Sequence, residues 1–257
     1  MVDERRRELA QRLVQEGRLN AKELAHQYQV TAETIRKDIA HLETLGLAHK
    51  VHGGAVYAND SRELPYHRTS TLNRKQKAAI ARLAVSLIDG HVLMIDGGST
   101  NLAIAKLLSL KDRLTIVTNS LTISPVFANA PGIELALTGG HIRQISQDLV
   151  GYWAVRSISE TTGDLCFIGA NSLSHANGPT TSTTTESEVK RAMLTSCKAR
   201  YLVADSSKVG SISTYQFATW NEFTALITDD GIDPGFVERI SAYTKVLVAT
   251  TTDATTQ

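Results

Sequence analysis

Residues 96–100 of this 257-residue chain have the composition of a phosphate-binding turn. They follow the apolar run 91–95 and precede a segment with helical periodicity, so a strand ends and a helix begins there. Glycines at such a point let a ligand approach the backbone, and the N–H groups that open a helix attract anions. The competing interpretation is a tight turn with serine or threonine as the N-cap. The turn consists of Asp96, Gly97, Gly98, Ser99 and Thr100.

Polar side chains also follow other predicted strands. Lys208 comes shortly after the strand that ends at Val203, where its ammonium group would pair with a phosphate. Asn119, Arg143 and Asp205 would bind hydroxyl groups or complete a network of charges. For Arg143 and Asp205, structural ion pairing is the competing explanation.

A second group of polar side chains lies near the N-terminus and has the arrangement of a DNA-reading helix. With Ile35 and Ile39 pointing inward at about 100° per residue, we expect Arg36 to bind the O6/N7 pair of a guanine, Lys37 a phosphate or base edge, and Thr34 a phosphate. The competing interpretation is that Arg36, Lys37 and Asp38 form the solvated face of an ordinary helix. The outward arc consists of Glu33, Thr34, Arg36, Lys37, Ala40 and His41.

Short helices and a hairpin would position that arc. Residues 5–15 have helical spacing before Gly17, Asn20 opens a second helix, and Thr31 opens a third that Gly46 ends. Two extended runs in residues 47–57 flank a Gly-Gly turn and predict a β-hairpin. This order of three short helices and a hairpin is typical of a winged helix-turn-helix, in which the second helix of the motif enters the major groove. The full set of expected DNA-binding residues is Asn20, Thr31, Glu33, Thr34, Arg36, Lys37, His41, Lys50, His52 and Gly53.

From residue 74 onward, strands and helices alternate, which predicts a mostly parallel sheet covered by helices. The fold class expected is therefore α/β, with an N-terminal winged helix-turn-helix at residues 1–57 and an α/β effector-sensing domain at residues 74–250. Residues 58–73 are polar and without period, so we expect a linker. The threonine-rich residues 251–257 are expected to be a disordered tail.

Composition excludes several classes of protein. Cys166 and Cys197 lack metal-ligand spacing, so we expect neither a disulfide framework, a metal site nor a cofactor. The chain has no signal-like or membrane-spanning apolar run, so we expect a cytoplasmic protein without a membrane partner. The net charge is +1, but residues 1–80 hold 14 basic against 10 acidic residues, which makes them the better partner for a polyanion.

These motifs, taken in order, resemble the DeoR family of transcription regulators over nearly the whole chain. The DNA-binding signature is carried by Thr34-Ile35-Arg36-Lys37-Asp38-Ile39 and Val51-His52-Gly53-Gly54-Ala55. The sensor domain is carried by Asp96-Gly97-Gly98-Ser99-Thr100, Thr118-Asn119-Ser120, Thr138-Gly139-Gly140 with Arg143, Phe167-Ile168-Gly169-Ala170, Glu186-Ser187-Glu188-Val189-Lys190-Arg191 and Asp205-Ser206-Ser207-Lys208-Val209-Gly210. Lys50, Asn171-Ser172 and Thr183-Thr184-Thr185 depart from the family's usual residues.

The resemblance implies binding to double-stranded operator DNA, usually repression, by a homo-oligomer such as a dimer or tetramer. It also implies a sensor fold similar to ribose-phosphate isomerases and glucosamine-phosphate deaminases, and hence a phosphorylated sugar or polyol effector from carbohydrate metabolism. The expected effector-binding residues are Asp96, Gly97, Gly98, Ser99, Thr100, Asn119, Gly140, Arg143, Asn171, Glu186, Lys190, Asp205 and Lys208.

Two other functions remain open at this point. A sugar-phosphate isomerase or deaminase with a DNA-binding appendage would use Glu186 as the general base, but a second acid is missing where Asn171 stands, so no catalytic residue is expected. An RNA-binding or purely protein-binding winged helix is the other alternative, which a preference for one duplex sequence would reject.

Overall fold

The computed structural model describes residues 2–16, 18–45, 47–51, 53–57 and 65–252. The chain forms two compact units, Met1–Arg62 and Glu63–Gln257. Gly17, Gly46 and His52 lie outside the described residues, as do positions 58–64 of the expected linker and 253–257 of the expected tail.

The first unit has the helices and the hairpin that the sequence predicts, and an additional short strand. Its elements are α1 (Val2–Glu16), β1 (Arg18–Asn20), α2 (Ala21–Gln27), α3 (Ala32–Thr44), β2 (Ala48–Val51) and β3 (Gly54–Tyr57). The strands form an antiparallel sheet in the order β1-β3-β2. Gly54 allows β3 to pair with β1, because a Cβ atom there would lie 1.8 Å from the carbonyl oxygen of Leu19.

An apolar core joins the elements of the first unit. Leucines of α1 pack against the inward stripe of α3, as its period predicts. The fully buried side chains that form this core include Leu9, Leu13, Leu24, Ile35, Ile39 and Leu42.

Asp38 does not belong to the solvated face of α3. Its side chain is 2% exposed, and its two carboxylate oxygens accept hydrogen bonds from Nε of Arg5 at 2.7 Å and Nε of Arg6 at 2.9 Å. A buried carboxylate requires such partners. The interpretation of Asp38 as a solvated residue is therefore wrong, and this aspartate instead fixes α1 against α3.

We expect Asp38→Ala to destabilise the first unit by about 1–3 kcal/mol, because two half-exposed arginines lose their buried partner. Hydrogen exchange of the full-length protein would measure this as faster exchange in α1 and α3. Glu33→Ala, which removes an exposed carboxylate from the same helix, serves as the matched control and should change exchange by less than about 0.5 kcal/mol. Unchanged exchange in Asp38→Ala would show that the two arginine contacts do not hold α1.

The second unit is an α/β domain. Its helices are α4 (Tyr66–Thr69), α5 (Arg74–Ser86), α6 (Ser99–Leu108), α7 (Ser124–Phe127), α8 (Tyr152–Ser159), α9 (Thr184–Ser196) and α10 (Pro234–Ile240), with 3-10 helices at Ser206–Lys208 and Trp220–Glu222. Its strands are β4 (Val92–Ile95), β5 (Leu114–Thr118), β6 (Ile133–Leu137), β7 (His141–Arg143), β8 (Asp148–Val150), β9 (Gly163–Ile168), β10 (Ser172–Ser174), β11 (Gly178–Thr181), β12 (Cys197–Val203), β13 (Tyr215–Gln216), β14 (Ala225–Asp229) and β15 (Lys245–Ala249).

A parallel sheet is the centre of this unit. In the described part of the chain it has seven strands in the order β15-β14-β12-β9-β4-β5-β6. Separate apolar clusters cover it, one containing residues of α5 and α6 and the other residues of α8 and α9. All strands of the sheet therefore end at the same edge, and the loops after β4, β5, β9 and β12 meet there.

Smaller antiparallel pieces accompany the parallel sheet. β7 pairs with β8, and β10, β11 and β13 form a second small sheet. The alternation pattern did not predict these pieces, since strands of two to four residues are too short to show a period.

Part of the expected linker is folded. Tyr66–Thr69 forms α4, and the Tyr66 N–H donates to the carbonyl oxygen of Ile145 at 2.8 Å. The buried Lys77 ammonium on α5 donates to the carbonyl oxygens of Thr69 at 2.6 Å and Leu72 at 2.7 Å. Residues 65–72 thus belong to the second unit, because their polar backbone groups find partners there.

Candidate nucleic-acid interface and ligand site

The outer face of α3 presents charged side chains to solvent. Arg36 and Glu33 are 58% and 64% exposed and lie 3.2 Å apart, from Nη1 to Oε2. An exposed ion pair of this kind contributes little to stability, so the Arg36 guanidinium can leave Glu33 for another acceptor. Lys37 is also exposed, whereas Thr34 and His41 are half-buried. The arc predicted from the sequence is therefore continuous on the helix surface.

Two of the expected DNA-binding side chains act as helix caps. Asn20 Oδ1 accepts from the Lys22 N–H at 3.0 Å, and its Nδ2 donates to Glu23 Oε1. Thr31 Oγ1 accepts from the Thr34 N–H at 3.1 Å. Their hydrogen-bonding capacity is used locally, so both residues position the starts of α2 and α3.

At the hairpin, Lys50 is exposed and its Nζ lies 3.1 Å from Oε2 of Glu43. Gly53 has φ +85°, a conformation that L side chains rarely adopt, and its carbonyl accepts from the Ala21 N–H at 2.9 Å. The role of Gly53 in the structure is thus the turn itself. The remaining hairpin residue of the expected set, His52, lies outside the described residues.

At the carboxyl edge of the sheet, the loop after β4 leads into α6. Gly98 is the N-cap with φ +105°, and Ser99 begins the helix. Gly97 lies against the carboxylate of Asp148, since a Cβ atom on Gly97 would be 2.0 Å from Asp148 Oδ1. Gly98 is thus required by its backbone conformation, and Gly97 by its packing against Asp148. The first N–H groups of a ten-residue helix, with Ser99 and Thr100 half-buried beside them, form an arrangement suited to an anion.

A buried ion pair supports this loop from below. Lys190 on α9 donates to Asp96 Oδ2 at 2.5 Å and to the carbonyl oxygen of Gly169 at 3.1 Å, and the Gly169 N–H donates to the same Asp96 oxygen at 3.0 Å. Burial acts to lower the pKa of Lys190, but the negative charges of Asp96 and Glu186 raise it above its usual value. The ammonium group is therefore positively charged in the interior.

Glu186 and Asn171 form a neighbouring polar group. Glu186 Oε1 lies 3.5 Å from Arg143 Nη1, and its Oε2 accepts from Thr183 Oγ1 at 2.9 Å. Asn171 donates to Ser182 Oγ and accepts from Thr181 Oγ1. Glu186, at the start of α9, connects electrostatically to Lys190 one turn later.

Asn119 and Gly140 hold the β7–β8 hairpin. Asn119 Nδ2 donates to the carbonyl oxygen of Leu149 at 3.2 Å, and the Leu149 N–H donates to the carbonyl oxygen of Asn119 at 2.7 Å. Gly140 has φ +124°, and a Cβ atom there would lie 2.7 Å from the carbonyl oxygen of Val150. A packing requirement thus accounts for Gly140 without a ligand.

Asp205 and Lys208 form a separate cluster after β12. Asp205 Oδ1 accepts from Asn73 Nδ2 at 2.9 Å and from the Ser207 N–H at 3.2 Å. Burial lowers the pKa of Lys77 to about 8. The positive charge of Lys208 also lowers this pKa, whereas the negative charge of Asp205 raises it. No described contact joins this cluster to Asp96.

Sequence reasoning missed residues that the structure places at the site. Asp148 is 6% exposed and lies against Gly97, and Asn101 is buried with its Nδ2 donating to the carbonyl oxygen of Gly97 at 3.1 Å. Asn101 directly follows the predicted turn 96–100, so the turn motif could have been extended by one residue to include it. Asp148 lies more than forty residues away in no recognisable motif, so only the fold brings it to the loop.

The first unit has the architecture of a DNA-binding domain, and the second has a polar sheet edge typical of a small-molecule-binding domain. Comparisons with known proteins support both assignments. The DeoR-like helix-turn-helix domain matches residues 5–61, and the DeoR C-terminal sensor domain matches residues 72–230. The chain belongs to the DeoR family of transcriptional regulators. The expected family, the fold class and the assignment to a regulator rather than an enzyme are thereby confirmed.

Individual relatives are similar over nearly their whole length. A putative aga operon transcriptional repressor of Escherichia coli O157:H7 is 32% identical over 92% of this chain and 90% of its own. The lactose phosphotransferase system repressor of Lactococcus lactis subsp. lactis is 30% identical over 91% of this chain and 93% of its own. Ribose 5-phosphate isomerase A from Methanocaldococcus jannaschii is 17% identical over 52% and 53% of the two chains with a TM-score of 0.38, a likeness too low to bear on function.

Across the described residues, every helix is too short or too polar to cross a lipid bilayer. In the same part of the chain, no three His, Cys, Asp or Glu side chains are grouped so that they could hold a metal ion.

Proposed function

We propose that this protein is a sequence-specific DNA-binding repressor of a carbohydrate or polyol operon, controlled by a phosphorylated sugar or polyol. The observation that carries the effector half is the glycine turn that opens α6 over the buried Lys190. Relatives named as repressors of an aga operon and of a lactose phosphotransferase system support the carbohydrate assignment.

In the DNA-binding half, α3 is the recognition helix. Arg36 supplies the bidentate guanidinium for a guanine, and Lys37 binds a phosphate or a base edge. Glu33 releases Arg36 on binding, since the exposed ion pair between them is weak. Thr34, His41 and the hairpin residues Lys50 and His52 contribute contacts to the DNA backbone at the margins of this helix.

In the effector half, the phosphate binds at the N-terminus of α6 and the rest of the ligand extends along the sheet edge. The N–H groups after Gly98 and the hydroxyls of Ser99 and Thr100 donate to the phosphate. Asn119, Arg143, Asn171 and Glu186 are the polar groups assigned to the hydroxyls of the ligand. Asp96 and Lys190 hold the loop in place, and Lys208 supplies a further cation.

The same proposal includes a homo-oligomer, a dimer or tetramer, that acts in the cytoplasm where the operator DNA is. A single recognition helix contacts few base pairs, and specificity usually requires two of them on half-sites spaced by whole helical turns. The oligomer thus follows from groove geometry. In this proposal residues 1–57 are the DNA-binding domain, and residues 74–250, together with the folded segment 65–72, are the sensing domain.

We expect Arg36→Ala to weaken specific operator binding by about 1–3 kcal/mol, roughly 5- to 150-fold, because a base contact is lost while the core of α3 is untouched. Fluorescence anisotropy with duplexes from the region upstream of the gene would measure it. Arg82→Ala, which removes an exposed arginine from the second unit, is the matched control. Equal operator affinity in Arg36→Ala and Arg82→Ala would reject the role of Arg36.

We expect Lys208→Ala to weaken effector binding and to remove the effect of the ligand on operator affinity, with operator binding in the absence of ligand unchanged. Coupling of about 1–3 kcal/mol corresponds to a 5- to 150-fold change in operator affinity. The assay is calorimetric titration with a panel of triose, pentose and hexose phosphates, then operator anisotropy with the tightest binder. Lys111→Ala, at an exposed lysine, is the control. Full ligand affinity in Lys208→Ala would show that Lys208 lies outside the effector site.

A further inference from the structure

The carboxylate of Asp148 lies directly beneath the loop that opens α6. Asp148 begins β8 and pairs in register with Arg143 across the hairpin. It is 6% exposed, and its oxygens would lie 2.0 and 2.2 Å from a Cβ atom on Gly97. The absence of a side chain at position 97 is therefore what lets the Asp148 carboxyl group pack against the backbone of the loop.

Among the groups that face Asp148 in the described part of the chain, none forms an ion pair with its carboxyl group. In the described part of the chain no basic group lies within ion-pair distance of it, and no hydrogen bond of normal geometry reaches its Oδ1. The ammonium of Lys190 is bonded to Asp96, and the guanidinium of Arg143 lies against Glu186. The other groups around Asp148 are the carboxylate of Asp96 after β4, the hydroxyls of Ser120 after β5 and Ser146 in the hairpin, and the phenol of Tyr66 on α4.

These surroundings favour the neutral acid. Burial, followed by the negative charge of Asp96, raises the pKa of Asp148 to about 7, although Ser120, Lys190 and Ser146 act to lower it. Because the buried carboxylate has an anionic neighbour and no paired cation, it is less stable than the protonated acid. The protonated acid also has an O–H that can donate a hydrogen bond. Both forms of the free protein are therefore populated near neutral pH.

We propose that Asp148 binds the anionic group of the effector as a protonated carboxylic acid, so that effector binding takes up one proton wherever the free carboxyl group is ionised. This inference rests on the proposed function, because it requires an anion at the start of α6. A phosphate dianion only accepts hydrogen bonds, so it repels the Asp148 carboxylate and accepts from the Asp148 acid. The proton comes from solvent, stays on the Asp148 carboxyl in the complex and returns to solvent when the ligand leaves.

The pH dependence follows from this coupling. Because the bound anion raises the pKa of Asp148 further, affinity is greatest below about pH 7 and falls as the pH rises above it, by up to tenfold per unit. The second ionisation of a phosphate ester, near pH 6, is complete in that range and does not contribute. Asp148 thereby makes the response to the effector depend on pH as well as on ligand concentration.

The test is calorimetric titration of the full-length protein with the tightest-binding phosphate ester of the panel, at about pH 7 and 8.5, in two buffers with different ionisation enthalpies. The parent protein is expected to take up close to one proton at the higher pH and to bind roughly tenfold more weakly there. Asp148→Asn keeps a donor and lacks the charge, so it should take up no proton and bind equally at both pH values. Asp89→Asn, at an exposed aspartate, should behave as the parent.

Sulfate, a dianion throughout this range, is the second probe and should give the same proton uptake in the parent. Zero proton uptake by the parent overturns the proposal, and so does an unchanged pH dependence in Asp148→Asn. If Asp148→Asn does not fold, the buffer comparison on the parent alone decides. If neither ester nor sulfate binds the parent or Asp148→Asn at any pH, the proposed function fails and this inference with it.

Discussion

The buried ion pair between Lys190 and Asp96 joins three segments that are distant in sequence. The aspartate follows β4, the lysine lies on α9, and both bond to the backbone of Gly169 after β9. Removing either charge would leave the other uncompensated in a low-dielectric interior, which is strongly unfavourable. The glycine turn and the start of α6 follow Asp96 directly in the chain, so their positions depend on this contact.

The N-terminal unit depends on a similar device. Asp38 ties Arg5 and Arg6 of α1 to the inner side of α3, while Arg36 and Lys37 on the same helix remain in solvent. One short charged run therefore serves both purposes: Asp38 fixes the helix, and Arg36 and Lys37 carry its outer charge. Consecutive residues of an α-helix point about 100° apart, so Asp38 faces inward while Arg36 and Lys37 face solvent.

Periodicity and turn chemistry predicted the fold where they are strong. The stripe of Ile35, Ile39 and Leu42 and the caps Asn20 and Thr31 sufficed for the first unit, and the alternation of apolar runs with helices sufficed for the parallel sheet. The β7–β8 hairpin was missed because its strands are too short to show a period. The burial of Asp38 and Asp148 was missed because it is decided by residues far along the chain, which no local pattern encodes.

Hydrogen–deuterium exchange of the full-length protein, with and without a saturating phosphate ester from the panel, tests the central claim most directly. An anion held by the N–H groups that open α6 should slow exchange at residues 97–101, with smaller effects at 119–120 and 148–150 around them. Helix α10, which makes no proposed contact with the ligand, should be unchanged. Protection elsewhere in the second unit, with residues 97–101 exchanging as in the free protein, would contradict a sensing site at this edge of the sheet.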